Sequence, residues 1–133
     1  MIEPAPIHVR FSDLDILGHV NNNIYLSYFE IARVHYFGKL LGQDWNWKRY
    51  TFVLAKNEVE YIKPVLLHHE PIVLLYCDKI GTKSFELSYE LIVGGELFAK
   101  GRSVAVSYDA KAQKSMEIHP EVKKVLHQLK KEQ

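Results

Sequence analysis

Between Phe11 and Asn23 the chain reads Phe-Ser-Asp-Leu-Asp-Ile-Leu-Gly-His-Val-Asn-Asn-Asn, which sets Asp13, Asp15 and His19 immediately ahead of a long apolar run. Asp, Gly and consecutive Asn between Ser12 and Asn23 predict a loop that ends in a helix N-cap. The first turn of a helix leaves N–H groups without intrahelical partners and carries partial positive charge, so it can polarise a carbonyl and stabilise an oxyanion. A carboxylate in the same place can act as a general base toward water or as a nucleophile. The combination suits acyl transfer. The same residue types also suit an Asx-turn at Asp13 or Asp15 followed by a simple N-cap, and on residue types alone the two readings stand level.

Other reactive groups offer less. No Ser or Cys is set beside a base, and Cys77, the only cysteine, lies in an apolar segment and reads as an inert buried thiol. His68-His69-Glu70 is not read as a metal site, because adjacent side chains diverge on an extended chain and no further ligand stands at a suitable spacing. Glu30 and Arg33 fall on a largely apolar helix, where their spacing permits an i,i+3 pair; they are expected to be structural.

The elements that must hold these groups follow from hydrophobic periodicity. Ile7, Val9 and Phe11 alternate with polar residues and predict a strand with one buried face. Ile24 to Leu41 has no Pro and is apolar nearly all round, so a helix enclosed by other structure is expected, with Gly42 as its stop. Thr51 to Ile62 reads as a strand whose first half, to Ala55, lacks clean alternation; this predicts burial on both sides or an edge that invites another chain. Ile72 to Ile80 and Lys83 to Val93 form the next strands around a Gly81-Thr82 turn, and Gly94-Gly95 is a hairpin dipeptide. In the last strand, Leu97 to Tyr108, the residues Ala99, Gly101, Ser103, Ala105 and Ser107 share one face, small enough for the helix to lie against. Glu121 to Lys131, with Pro120 near its start, is an amphipathic surface helix. The expected architecture is one α+β domain over residues 1–133, with five antiparallel strands curled round a long central helix and a short C-terminal helix.

Composition bounds the function. The chain has 133 residues, 47% hydrophobic and 25% charged, a length that supports a core without disulfides or structural metal. Lys plus Arg number 17 against 16 Asp plus Glu, which argues against wrapping nucleic acid or coating an anionic membrane. No stretch approaches the ~20 apolar residues of a membrane span, and the N-terminus, with Pro4 and Pro6, lacks the apolar core of a signal peptide, so a cytoplasmic protein is the default expectation.

The motif Asp13-x-Asp15-x-x-Gly18-His19-Val20-Asn21-Asn22, followed by Tyr25, Leu26, Phe29, Glu30, Ala32 and Arg33, resembles the signature of the hotdog-fold acyl-CoA thioesterases of the 4-hydroxybenzoyl-CoA thioesterase type. The later Tyr61-Ile62-Lys63-Pro64 segment, the strand series and the closing helix fall in the same order. The resemblance implies hydrolysis of a fatty or aryl acyl-CoA to free acid and coenzyme A, with coenzyme A present only as part of the substrate and no metal. It implies a homodimer or homotetramer paired through an edge strand, with active sites between subunits. Position by position, Asp15 corresponds to the catalytic carboxylate and Asp13 to a flanking acid. Asn22 is the residue whose backbone N–H would polarise the thioester carbonyl, His19 would orient Asp15 or a water, and Tyr25 would line the acyl pocket. Lys63, Lys83 and Ser84, each beside a turn at a strand end, are expected contacts for coenzyme A phosphates. Two alternatives share the sequence: a hydratase or dehydratase of acyl thioesters, whose carboxylate would move protons at the α and β carbons, and a non-catalytic acyl-thioester binding protein.

Overall fold

Gly42 ends the first long helix, as its position predicts: its φ is 85° and its N–H reaches the Gly38 carbonyl at 3.1 Å. The computed structural model describes residues 2–131, and in it this helix, α1, spans Ile24–Leu41. Around it run β1 (Ala5–Pro6), β2 (Tyr50–Tyr61), β3 (Ile72–Ile80), β4 (Ser84–Val93), β5 (Glu96–Asp109) and β6 (Lys114–Ser115), followed by α2 (Pro120–Gln128). The strands form one antiparallel sheet in the order β1-β3-β4-β5-β2, with β6 paired to the far end of β5. The hairpin between β4 and β5 turns at Gly94 and Gly95, with φ of 57° and 78°, the two positive values that a tight two-residue turn requires.

The helix lies against the small-residue face of β5. A Cβ on Gly101 would stand 2.4 Å from Phe29 Cε2, so no larger residue fits there unless the Phe29 ring moves. Phe29 in turn stacks on Tyr89 of β4, ring centroids 4.4 Å apart. Phe85, Leu87, Tyr89 and Leu91 are all buried on the same face. This core of α1 against β4 and β5 fixes where the helix begins, and hence where the loop before it must sit.

Three features depart from the periodicity. The strand expected over Ile7–Phe11 is only Ala5–Pro6, because its partner β3 begins at Ile72 and is preceded by Pro71, which has no N–H to continue the ladder. Ile7 makes one last bond to the Pro71 carbonyl at 2.9 Å; Ile7 and Val9 stay buried, and Phe11 swings out into a short 3-10 turn, Phe11–Asp13, where it is 81% exposed. The second feature is a bulge in β2. Leu54 faces Ala105 and Lys56 faces Val104, leaving Ala55 as the extra residue. An extra residue reverses side-chain parity. Phe52 and Leu54 therefore share the inner face before it, and Asn57, Val59 and Tyr61, opposite Ser103, Gly101 and Ala99, share that face after it. Third, α1 is not enclosed on all sides within one chain, for Leu26, Ile31 and Val34 remain exposed beside β2, which occupies the end of the strand order.

At the C-terminus, α2 starts at Pro120, capped by His119 Nδ1, which accepts the Glu121 N–H at 3.1 Å. It ends three residues before the expected Lys131, and the Leu129 carbonyl instead accepts the Cys77 N–H at 2.9 Å, covering part of the outer edge of β3.

Candidate active site

Asp13 sits in the 3-10 turn with its side chain 1% exposed. Its Oδ2 accepts the Arg10 N–H at 3.0 Å and the Tyr28 hydroxyl at 2.7 Å, and its Oδ1 accepts Arg10 Nη2 at 2.9 Å. Burial alone would raise this carboxyl, but the Tyr28 hydroxyl and the Arg10 backbone and guanidinium together hold it below the ordinary range. Burial and the adjacent Asp13 charge raise the Tyr28 phenol in the same exchange. Asp13 is thus turned into the core as an anchor.

Asp15 faces the other way. Its backbone N–H donates to the His19 carbonyl at 2.7 Å, the Gly18 N–H donates back to the Asp15 carbonyl at 3.0 Å, and a Leu14–Val20 bridge closes the loop. Gly18, at φ 78°, supplies the left-handed step this closure needs. Asp15 Oδ1 accepts the N–H groups of Leu17 at 2.9 Å and His19 at 3.1 Å. The Asx-turn is therefore real, yet it uses one oxygen; no protein donor among the described residues takes Oδ2. His19 supports Asp15 through its backbone, and its imidazole makes no hydrogen bond among the described residues.

The loop leads directly into the helix. The Asn21 N–H donates to the Asp13 carbonyl at 2.8 Å, and the Ile24 N–H closes a turn on the Asn21 carbonyl at 2.9 Å. The intervening Asn22 and Asn23 are exposed, and their N–H groups meet no protein acceptor among the described residues. Asn23 is the N-cap by position, but its side chain makes no capping bond, so these donors are left open. The Asn22 carbonyl accepts the Tyr61 hydroxyl at 2.9 Å. Tyr25, 2% exposed, packs edge-on against Tyr61 with centroids 4.9 Å apart, and burial raises its phenol against a smaller opposing effect of the Val65 backbone.

The expected coenzyme A contacts do not gather in one chain. Lys63 lies two residues beyond Tyr61 but is held by Glu96, whose Oε1 is 2.8 Å from Nζ. Ser84, opposite Val106, and Tyr61, opposite Ala99, are seven residues apart along β5, about 23 Å of strand. Lys83 and Ser84, both exposed, therefore stand at the far end of the sheet from Asn22.

Along α1, beginning at Leu26 and Ser27 in its first turn, runs a groove against β2. Its first part, about 190 Å³, is lined by Leu26, Ser27, Glu30, Arg33, Leu54 and Asn57; a larger part, about 470 Å³, continues past Val34, Phe37, Trp47 and Phe52. Arg33, 11% exposed, pairs with exposed Glu30 at 3.9 Å as its spacing predicts, and also donates to the Tyr89 hydroxyl at 2.9 Å. Tyr89 donates to Ser103, which donates to Asn57 Oδ1 on β2 at 2.7 Å. Tyr25 does not line this groove. Cys77 is buried, its thiol pushed up to about 11 by burial. Among the described residues no group of three His, Cys, Asp or Glu could hold a metal, and no helix is long and apolar enough to cross a membrane.

The sequence offers Tyr61 only as one of several aromatics that could line an acyl pocket, not as a partner of the helix start, and gives no sign of Asn57. Both share the inner face with Phe52 and Leu54 because of the bulge at Ala55, which the broken alternation of Thr51–Ala55 followed by clean alternation of Val59 and Tyr61 against Glu58 and Glu60 already marks.

A sheet curled on one long helix, with a carboxylate oxygen and open helix N–H groups at the helix start, defines the thioester hydrolases of hotdog fold. The chain belongs to the thioesterase-like superfamily, whose family model its residues 9–126 match. It is similar to the long-chain acyl-CoA thioesterase FadM of Escherichia coli (strain K12), 28% identical over 94% of this chain and 97% of that protein. It is 34% identical to the uncharacterized protein YsmA of Bacillus subtilis (strain 168) over 62% of this chain, a match that spans 56% of YsmA. Among solved structures, a thioesterase from Thermus thermophilus, complexed with coenzyme A and zinc, is 34% identical over 91% of this chain and 94% of its own, with a TM-score of 0.80.

Proposed function

We propose that the protein is an acyl-CoA thioesterase in which Asp15 Oδ2 is the reacting carboxylate oxygen and the turn at Asn22 binds the thioester carbonyl. The observation that carries this reading is the division of labour at Asp15: Oδ1 is spent on the Leu17 and His19 N–H groups, which fixes the carboxylate, and Oδ2 is left open on a loop tied to the helix start. Oδ2 either takes the proton of an attacking water or attacks the carbonyl carbon itself, and both routes use the same ionised oxygen. The carbonyl oxygen gains negative charge facing the open N–H groups and coenzyme A thiolate leaves; attack by water gives the free acid directly, whereas attack by Oδ2 gives an Asp15–acyl anhydride that water then hydrolyses to the acid.

The groove between α1 and β2 supports a long acyl chain. From Leu26 to Phe37 the helix rises about 16 Å; Ser27, Glu30, Arg33 and Asn57 make the first part of that length polar, and Val34, Phe37, Trp47, Phe52 and Leu54 make the larger part beyond it apolar. The likeness to FadM supports the same choice. The groove lies open beside β2, a 12-residue strand with no neighbour on its outer edge among the described residues, and Leu26 and Val34, which line the groove, are exposed. Unpaired backbone and uncovered apolar surface favour a second copy paired through β2. Such pairing would bring the partner's Lys83 end toward the Tyr61 end of this chain, so that Lys83 and Ser84 would serve the neighbouring site. No cofactor is proposed, coenzyme A entering only as part of the substrate. We place the reaction in the cytoplasm, where the single thiol needs no oxidising partner.

The test is thiol release, followed with a colorimetric reagent, from short, long and aromatic acyl-CoA thioesters. The expected result is turnover that is fastest with long acyl chains and absent in Asp15→Asn. Absence of thiol from every wild-type reaction would overturn the reading, and hydration of an enoyl-CoA without thiol release would replace it with the hydratase alternative.

A further inference from the structure

The Tyr61 hydroxyl donates to the Asn22 carbonyl at 2.9 Å, and that carbonyl shares a peptide unit with the N–H of Asn23. We infer that Tyr61 is a positioning residue for thioester hydrolysis: it orients and polarises the Asn22–Asn23 peptide so that the Asn23 N–H becomes a donor to the developing oxyanion alongside that of Asn22. The inference rests on the thioesterase reading above.

Four observations converge on it. A peptide unit is planar, so holding its oxygen at one edge fixes the direction of the N–H at the other. The Asn23 N–H is open: the Ile24 N–H is consumed by the Asn21 carbonyl, whereas those of Asn22 and Asn23 have no protein acceptor among the described residues. Accepting a hydrogen bond at the carbonyl oxygen polarises the amide and strengthens the donor at its other end. The tyrosine itself is held rigidly. Its strand end is fixed by Ile62 and Lys63, whose N–H groups both reach the Phe98 carbonyl at 2.9 and 3.0 Å, and its ring is braced by Tyr25.

Burial does not dictate this bond. Tyr61 is 44% exposed, so its hydroxyl could be satisfied by water at little cost. It reaches Asn22 because the Ala55 bulge turns Tyr61 inward; in a strand of unbroken alternation from Phe52 it would face out.

The experiment is Tyr61→Phe in the full chain. The change keeps the ring against Tyr25 and removes only the hydroxyl. With a long-chain acyl-CoA the expected result is a loss in kcat of roughly 3- to 10-fold with KM within about twofold. That is smaller than the ~100-fold or more that deletion of a whole oxyanion donor costs, because the N–H remains but is weakened and less well aimed. An independent readout is the amide resonance of Asn23 in a 1H–15N spectrum, whose nitrogen should move upfield when its carbonyl partner loses the hydrogen bond, while the Phe37 amide stays in place. An unchanged kcat, a loss carried wholly by KM, or an unmoved Asn23 amide would each overturn the inference. If wild-type protein releases no thiol, the thioesterase reading falls and takes this role with it; an active wild type with an equally active Tyr61→Phe removes only the role of Tyr61.

Discussion

The Tyr28 hydroxyl donates to Asp13 Oδ2 at 2.7 Å, joining the loop that carries Asp15 to the second turn of the helix it precedes. Asp13 is therefore an anchor, and the acid two residues later is free for chemistry because the first one is not. This division is enforced by the 3-10 turn, which points Asp13 inward among Arg10 and Tyr28 and leaves Asp15 at the mouth of a closed loop.

Replacing Asp13 by Asn should destabilise the protein near pH 7 by about 2–3 kcal/mol, the scale of buried hydrogen bonds to a charged group. The carboxyl is held below its ordinary value of 3.8, so its contribution is complete above that pH and is lost as the pH falls from there through the lower native value. Urea unfolding of wild type and Asp13→Asn at pH 7, and at steps between pH 4 and pH 2, should show a gap that narrows on acidification. A gap that widens would reverse the sign of the coupling.

Asp15→Asn should cost at least about 100-fold in kcat while leaving the melting temperature nearly unchanged. Asn retains Oδ1 as an acceptor for the Leu17 and His19 N–H groups, so the loop keeps its closure; what disappears is the charge on Oδ2. Retention of most of the wild-type rate would remove Asp15 from the chemistry.

Gly101→Ala should be destabilising by about 1–3 kcal/mol, the range for overpacking a filled core. The new methyl would meet the Phe29 ring at 2.4 to 3.0 Å on three of its atoms, and Phe29 is itself confined by its stack on Tyr89. Thermal denaturation measures it directly, and a melting temperature equal to wild type would show that the ring can yield.

Cys77 should be silent toward thiol reagents in the native protein. It is 1% exposed and its thiol is raised to about 11, so almost no thiolate is presented at neutral pH. One equivalent should react after denaturation and essentially none before, which also keeps the background of a thiol-release assay low.

Much of this architecture is legible in the sequence where a single face dominates. The small-residue stripe of β5 announced a close helix contact, and Gly101 against Phe29 is that contact. Gly42 and the Gly94-Gly95 turn fall where their backbone freedom is needed. Residue types alone do not separate Asp13 from Asp15; the resemblance to the thioesterases singles out Asp15 and Asn22, and the structure shows Asp13 buried against Tyr28 and the Asn22 and Asn23 N–H groups without a protein acceptor among the described residues. The first strand was overestimated because the alternation of Ile7 and Val9 records burial and says nothing about a partner, and the partner strand is preceded by Pro71 at that point. The enclosure expected for α1 fails along Leu26, Ile31 and Val34, since exposed apolar residues on a helix look the same in sequence as core. The inward facing of Tyr61 is legible in its alternation with Glu58 and Glu60, but its bond to the Asn22 carbonyl joins segments far apart in the chain and no local pattern records it.

The bulge at Ala55 also divides β2 into two reading frames. The half before it, with Phe52 and Leu54, lines the groove along α1, and the half after it carries Tyr61 to the turn at Asn22. Asn57, just beyond the bulge, still borders the groove beside Leu54, so the two halves meet at its wall. One inserted residue thus lets a single strand set apolar side chains against the helix at one end and a tyrosine hydroxyl on the Asn22 carbonyl at the other.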